Sequence, residues 1–364
     1  MKILHLLYSG LGGHGNVFFS IVKADAKKEF EHIALFNGIE NMREEYKERC
    51  QNSGIGWKFV KKKPGLDIRF YYRLIKVIRA KKPDILFLHG STQIVWAWIA
   101  TCFTGYKCRI IVRETQANHL KSKQDWFWLS LAMLLANKVV FLSDEYRADI
   151  HNKLKWLYRK RRITVIPNGI DLDRFIPVQR TGMGSFMVGM QARIVPIKDH
   201  VTLLHAFATV RRLASSGNIN MRLVIAGDGE CRADLEDLCV KLRISNHVEF
   251  LGMISESEIV HFLQGLDIYV HASFGETMST AIMQAMACGL PVIASDVPGI
   301  SNMIQDGKTG ILVPVKNAEA LEASLSGLIG SSRQREELGA NARAYACQYF
   351  SQEKMFLSYK ELFI

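Results

Sequence analysis

The sequence has no long apolar run. Its longest, WFWLSLAMLLA (126–136) and IVWAWIATCF (94–103), stop short of the roughly 18 to 20 residues a bilayer span needs, so no membrane-spanning helix is expected. Cysteine is sparse and unpatterned: Cys50, Cys102, Cys108, Cys231, Cys239, Cys288 and Cys347 are odd in number, scattered, and form no C-x-x-C. That argues against a zinc site or disulfide framework and fits a reduced, cytoplasmic thiol set. A secretory leader is not expected, because the apolar run after Met1-Lys2 breaks at Ser9-Gly10 with no small-residue cleavage site. Low-complexity tracts, internal repeats and RNP, zinc-finger or helix-turn-helix signatures are also missing. Nucleic acid is therefore not an expected partner.

What is present suits a large globular chain. With 364 residues, 48% hydrophobic and 23% charged, it exceeds the roughly 250 residues at which one core tends to split, so two domains are expected. The net charge of +12 is uneven: residues 1–180 hold 32 Lys+Arg against 16 Asp+Glu, or +16, leaving 47−32=15 basic and 35−16=19 acidic residues, or −4, for the rest. The excess lies in KFVKKKPGLDIRFYYRLIKVIRAKK (58–82) and HNKLKWLYRKRR (151–162), where basic and aromatic residues interleave. Such a face fits an anionic partner, and the anionic cytoplasmic leaflet of a membrane fits better than nucleic acid.

Short apolar strands alternate with helix-length segments, from KILHLLY, FEHIALF, PDILFLHG, CRIIVRE, KVVFLS and ITVIPNG to SFMVGMQA, MRLVIAGDG, HVEFLG, DIYVHAS, PVIASD and GILVPV. This βαβ alternation predicts an α/β fold of parallel sheets covered on both faces. The turn at Asn168-Gly169 and the aperiodic residues after it place a boundary near residue 172. The expected division is an N-terminal domain over 1–172, a C-terminal domain over 173–345, and a final amphipathic helix, 346–364, that crosses back to the first domain. Ligands of such sheets bind at the carboxyl ends of strands.

Several motifs fall at those ends. In HASFGETMSTAIMQAMACGLPVIASDVPG (271–299), Gly275 permits a tight turn and a helix is expected to start at Glu276-Thr277. The small residues Ser279, Thr280 and Ala281 then leave backbone N–H groups exposed at a helix N-terminus, an anion site by geometry and dipole. Glu276 and Gln284 would lie about 12 Å apart along that helix, roughly the distance from a sugar to the ribose of its nucleotide. Upstream, Arg193 and Lys198 supply two fixed cations able to neutralise a diphosphate without a metal. VIAGDGE (224–230) and VEFLG (248–252) each end a strand in glycine, where backbone can approach a flat base.

Together these motifs resemble the family 4 retaining glycosyltransferases of the GT-B fold, of the bacterial polysaccharide and O-antigen type. The resemblance spans nearly the whole chain and is most specific over 276–298. It implies two Rossmann-like domains facing a central cleft, and a nucleotide-diphosphate sugar as donor with no metal required, a UDP-sugar favoured and GDP-mannose the other candidate. The acceptor implied is a saccharide, free or polyprenyl-linked. By the resemblance, Arg193 and Lys198 hold the diphosphate, and Glu276 with the backbone of Thr277, Met278, Ser279 and Thr280 holds the donor sugar and phosphate. Gly227 and Leu251 border the base, and residue 284 meets the ribose. The family's E-x7-E has Gln284 at its second position here, an amide that still donates and accepts hydrogen bonds.

The first half begins with Gly10, Gly12 and Gly15 in G-x-G-x-x-G spacing. A dinucleotide fold would end its second strand in an acid that binds ribose, whereas FEHIALFNG ends in Asn37-Gly38, so an oxidoreductase is not expected. In the family this loop approaches the donor phosphates, making Gly12 and Gly13 the candidates. His89-Gly90-Ser91, RETQANHLKSK (113–123) and Ser143 would form the acceptor side. Relatives carry a Glu-His pair where this chain has Glu114-Thr115, and His119 is the candidate to replace that histidine. The D-x-D of Asp171–Asp173 has no further carboxylates nearby in sequence and reads as structural. Alternative readings are an epimerase or glycogen-type synthase on the same architecture, and a non-catalytic nucleotide-sugar-binding protein.

Overall fold

A computed structural model describes residues 1–10, 13–65, 67–102, 107–178, 185–215 and 220–364. The chain divides into two compact units, Met1–Gly169 with Gln352–Ile364, and Ile170–Ser351. These divisions fall a few residues from the 172/173 and 345/346 boundaries read from sequence.

In the first unit the strands are β1 (Lys2–Tyr8), β2 (Glu31–Gly38), β3 (Gly56–Lys61), β4 (Ile85–Leu88), β5 (Arg109–Arg113), β6 (Lys138–Phe141) and β7 (Ile163–Val165), in the order β3-β2-β1-β4-β5-β6-β7. The second unit holds β8 (Phe186–Gln191), β9 (Met221–Ala226), β10 (Val248–Gly252), β11 (Ile268–His271), β12 (Val292–Ser295) and β13 (Ile311–Val313), in the order β10-β9-β8-β11-β12-β13. Every pairing between these strands is parallel. The direction of winding therefore reverses between β1 and β4, and again between β8 and β11. Crevices at such switch points, beyond the carboxyl ends of the strands, are where open α/β sheets bind ligands.

The helices of the first unit are α1 (Gly13–Ala24), α2 (Glu44–Asn52), α3 (Ile68–Lys81), α4 (Ile94–Cys102), α5 (Lys123–Leu135) and α6 (Asp144–Lys153). Those of the second are α7 (His200–Ser215), α8 (Arg232–Lys241), α9 (Glu256–Gln264), α10 (Thr280–Ala287), α11 (Ala318–Gly330) and α12 (Ser332–Tyr349). The last helix, α13 (Gln352–Phe363), belongs to the first unit, where Met355, Phe356, Tyr359 and Phe363 join Ile3, Val17, Ile85 and Phe87 in one core cluster. Burying both sheet faces demands strands that are apolar throughout, and central β4 and β11 are buried at every position.

Sequence reading missed β3, which lies inside the stretch read only as basic. It is an edge strand with Val60 alone buried, and it runs into Lys61, Lys62 and Lys63. Half-exposed strands show weak apolar periodicity, and lysine is a common edge residue because it discourages pairing with another chain. Among the described residues no helix is long and apolar enough to cross a membrane.

Candidate active site

Three candidate residues of the second unit, Arg193, Lys198 and Glu276, lie at its switch point. Arg193 and Lys198 follow β8, and Glu276 follows β11. The loop carrying the two cations is laced to its neighbours by backbone bonds: Ala192 N to Ala226 O (3.0 Å), Ile194 N to Asp228 O (2.9 Å), Cys231 N to Ile194 O (3.1 Å) and Phe274 N to Ile197 O (2.9 Å). Ser273 Oγ also donates to Ile197 O at 3.2 Å. The glycines of VIAGDGE make this lacing possible. A Cβ on Gly227, whose φ is +140°, would lie 1.9 Å from Ala192 O, and one on Gly229 would lie 2.2 Å from Ile194 O. These glycines thus set where the Arg193 loop runs.

Lys198 forms an ion pair with Glu276 Oε1. Glu276 Oε1 also lies 2.7 Å from His271 Nε2, and His271 Nδ1 lies 3.1 Å from the Tyr269 hydroxyl. With Glu276 ionised, His271 must present Nε2–H to it, leaving the Nδ1 lone pair facing the Tyr269 hydroxyl, which also reaches Gln191 O at 3.3 Å. Burial, with Lys198 and His200 nearby, holds the His271 pKa well below its ordinary value, so the ring is neutral. Burial and the neighbouring Arg193 guanidinium bring the Lys198 ammonium down to about 7. Arg193 is exposed and bonds to no carboxylate among the described residues. Lys198 O accepts from His200 Nδ1 at 2.7 Å, which closes the turn into α7.

The Glu276 segment differs from its expected form. α10 starts at Thr280, with Ser279 as N-cap, so Glu276, Thr277 and Met278 lie in the preceding loop and the 12 Å helical spacing to Gln284 does not apply. Gly299 accounts for this. Gly299 has φ +91°, and a Cβ there would lie 2.2 Å from Glu276 O, so the loop rests on the β12 turn instead of winding early. The N-cap hydroxyl of Ser279 makes no capping bond and lies 3.5 Å from His271 Nε2. Thr277, Met278 and Thr280 are half-buried. Gln284 is buried, not solvent-facing, and its Oε1 has no hydrogen-bond partner among the described residues. At the sheet edge, Gly227 N donates to Gly252 O at 2.8 Å, which brings Gly227 beside the exposed Leu251.

Sequence reading missed His271 and Tyr269 as site members. The signal was a histidine ending an otherwise apolar strand, just before the glycine turn.

In the first unit, Gly12 lies outside the described residues. A Cβ on Gly13 would meet nothing within 4 Å, whereas one on Gly15 would lie 2.5 Å from the Tyr46 hydroxyl, so Gly15 serves helix packing. Asn37 is committed to structure: Nδ2 donates to Leu7 O at 2.9 Å and Oδ1 accepts from Gln93. His119 is exposed on a single 3-10 turn, Asn118–Leu120. Glu114 is buried, with Oε1 accepting from Gln116 N at 3.0 Å and lying 3.4 Å from Lys121 Nζ. Asp171 Oδ1 accepts from Asp173 N (3.2 Å) and Arg174 N (3.3 Å), a turn-capping use.

Comparison with known proteins bears on the whole of this arrangement. Residues 11–174 match the profile described as Glycosyltransferase Family 4, and residues 173–345 the one described as Glycosyl transferases group 1. A D-inositol 3-phosphate glycosyltransferase of Stackebrandtia nassauensis is 29% identical over 221 residues, covering 57% of this chain and 48% of that protein. The chain thus spans about half the length of these curated relatives. The UDP-Gal:alpha-D-GlcNAc-diphosphoundecaprenol alpha-1,3-galactosyltransferase of Escherichia coli is 26% identical, over 70% of this chain and 68% of that one. Among solved structures, Anabaena HepE in complex with UDP-glucose superposes with a TM-score of 0.83 at 20% identity, covering 100% of this chain and 99% of that one. The lipopolysaccharide outer core galactosyltransferase WaaB superposes with a TM-score of 0.71 at 16% identity, covering 100% and 99%. These superpositions identify the fold as GT-B, and with two adjoining profiles accounting for residues 11–345, the chain belongs to the group 1, family 4 glycosyltransferases.

Proposed function

We propose that this protein is a retaining glycosyltransferase that moves a hexose or N-acetylhexosamine from a nucleotide-diphosphate sugar to a hydroxyl of a saccharide acceptor. The observation that carries this reading is the cluster at the second unit's switch point. Lys198 and Glu276 are in contact there, and among the described residues Arg193 beside them bonds to no carboxylate and the Oε1 of buried Gln284, one turn into α10, has no partner. Cations and helix-start N–H groups suit a diphosphate. The Glu276 carboxylate suits sugar hydroxyls, and the Gln284 amide suits ribose.

In the reaction the bond from the anomeric carbon to the phosphate oxygen breaks, and the nucleoside diphosphate leaves with the electron pair. The acceptor oxygen attacks from the same face and passes its proton to the departing phosphate, so no strong enzyme base is needed. Arg193, Lys198 and the start of α10 stabilise the charge developing on the leaving group. No metal is required for that neutralisation. A UDP-sugar is favoured as donor, in keeping with the UDP-glucose in the HepE structure and the UDP-Gal in the name of the Escherichia coli relative. In this reading the first unit is the acceptor side and the second the donor side.

A lipid-linked acceptor in cell-surface polysaccharide assembly fits the first unit's surface. Helices α3, α4 and α5 pack in succession; α3 exposes Ile68 and Tyr72 among its own basic residues, and α4 and α5 expose Trp98 and Phe127. At an anionic leaflet each basic residue contributes about 1 kcal/mol. Sedimentation with vesicles should show binding that grows with anionic lipid and falls with salt; equal binding to neutral vesicles would remove the membrane from the proposal.

The test of the transferase reading is thermal stabilisation by UDP-, GDP- and ADP-sugars without added metal, where ligand at a hundredfold excess over Kd adds about 2.7 kcal/mol. A shift with one nucleotide class, lost in Arg193→Ala, supports the site. No shift with any sugar nucleotide would refute it.

A further inference from the structure

A line of buried polar groups crosses the core of the first unit and plays no part in the chemistry described above. It starts at Asp25, just after α1, and passes through His32 on β2 and His5 on β1 to His89, the residue after β4. Asp25 Oδ2 lies 3.4 Å from His32 Nε2, a charge contact and not a hydrogen bond, since that nitrogen has no hydrogen-bond partner among the described residues; His32 Nδ1 lies 3.0 Å from His5 Nε2, and His5 Nδ1 lies 3.2 Å from His89 Nε2. The line ends at His89 Nδ1, which is sheltered from solvent and has no hydrogen-bond partner among the described residues. It thus runs to the carboxyl side of the first sheet's switch point.

The direction of the protons along this line follows from its first member. Asp25 accepts backbone N–H bonds from Glu29 (2.9 Å, at Oδ1) and Phe30 (3.0 Å, at Oδ2). A carboxylate can only accept, so the His32 nitrogen facing it, Nε2, carries the proton. Each imidazole here is neutral: burial holds His5 and His89 well below the ordinary histidine pKa and brings His32 down to about 4. Arg113, buried at the end of β5, and His14 in α1 further oppose a proton on His89. A neutral ring with Nε2–H has a lone pair on Nδ1, so the same assignment repeats at His5 and then at His89. One carboxylate fixes three tautomers and leaves an acceptor lone pair at the far end.

We propose that Asp25, His32 and His5 are positioning residues that hold His89 in the Nε2–H tautomer, so that its Nδ1 accepts a hydrogen bond from a hydroxyl of the saccharide receiving the sugar. The identity of that hydroxyl rests on the transferase reading; the tautomer does not. No proton leaves the substrate through this line. The ring's part is to orient the O–H whose oxygen attacks.

The experiment is long-range 1H–15N correlation on the full chain labelled at histidine, without substrate, with His89 assigned from His89→Gln. The expected result is His89 protonated at Nε2 in the wild type. In Asp25→Asn the charge that selects Nε2–H at His32 is gone, so the preference passed along the line is lost and His89 should show both tautomers. If Asp25→Asn folds poorly, His32→Phe breaks the line while filling the space, and His89 should then show both tautomers. A wild-type His89 protonated at Nδ1, or a tautomer indifferent to both substitutions, overturns the proposal. For the substrate contact, His89→Gln keeps a group that reaches His5 but supplies no acceptor at the Nδ1 position. Release of nucleoside diphosphate from the stabilising sugar nucleotide should fall at least tenfold with the donor KM unchanged, and wild-type turnover in that variant would overturn the role at the acceptor hydroxyl.

Discussion

Lys198 and Gln284 show how one side chain's surroundings set its use. The Lys198 pKa is lowered to about 7, chiefly by burial and then by Arg193. A bound diphosphate reverses that shift, because a dianion favours the ammonium. Above pH 7 a growing fraction of the free protein therefore loses the Lys198 proton, even beside Glu276, and that fraction must take up a proton on binding. Affinity for the nucleoside diphosphate should fall as pH rises through this range, by up to about tenfold per unit. Calorimetry at pH 8 in two buffers of different ionisation enthalpy would report the proton as a difference in heat, and equal heats would rule the coupling out. Gln284 makes the converse case, since an unpartnered buried acceptor is a cost in the empty protein. Gln284→Leu should leave Tm unchanged or raise it, while weakening the nucleoside diphosphate about tenfold, the loss of one net hydrogen bond of about 1.4 kcal/mol. A lower Tm with unchanged affinity would make Gln284 a structural residue. The sequence reading recognised position 284 but not its burial, which depends on the face of α10 turned to the core.

At the scale of elements, glycines decide where site-bearing loops run. Gly227→Ala would press a methyl group into Ala192 O, 1.9 Å from the position a Cβ would take, at a φ that side chains rarely adopt. Overpacking of this kind costs about 1–3 kcal/mol. The yielding partner is the strand end that carries Arg193, so Gly227→Ala should lower Tm and also weaken diphosphate binding. Gly13→Ala faces open space and should do neither to the fold. Parallel thermal melts with and without UDP would separate the two, and a Gly227→Ala protein with wild-type UDP stabilisation would detach the glycine from the Arg193 loop. Most strands were legible in sequence because sheets covered on both faces leave continuous apolar runs. β3 was not, since an edge strand with one buried side chain looks like a basic loop. The start of α10 was misread for a different reason. Glu276-Thr277 has no local bar to helix, and only Gly299, folded against the Glu276 carbonyl from the β12 turn, holds those residues out of it.

For the whole molecule, six histidines among the described residues share one consequence. His5, His14, His32, His89, His200 and His271 all have pKa values lowered chiefly by burial, with His32 and His200 at about 4. The unfolded chain binds protons at these positions below pH 6.5 and the folded chain does not. Stability should therefore fall as pH drops from 6.5 toward 4, by up to about 1.4 kcal/mol per pH unit for each histidine. Urea denaturation across that range would show it, and a flat profile would mean that the histidines are protonated in the fold.

The sequence by itself determined the α/β class, the succession of most strands and the family. Each rests on local signals: apolar runs, turn glycines and the spacing of charged residues along one stretch of chain. Only the tertiary structure decided which distant residues meet. His5 stands 84 residues from His89 and 27 from His32, and they touch because the strand order puts β1 between β2 and β4. Lys198 and Glu276, 78 residues apart, meet because β8 and β11 are neighbours. Strand order comes from burying two faces of a sheet at once, a property of the whole chain that no window of the sequence contains.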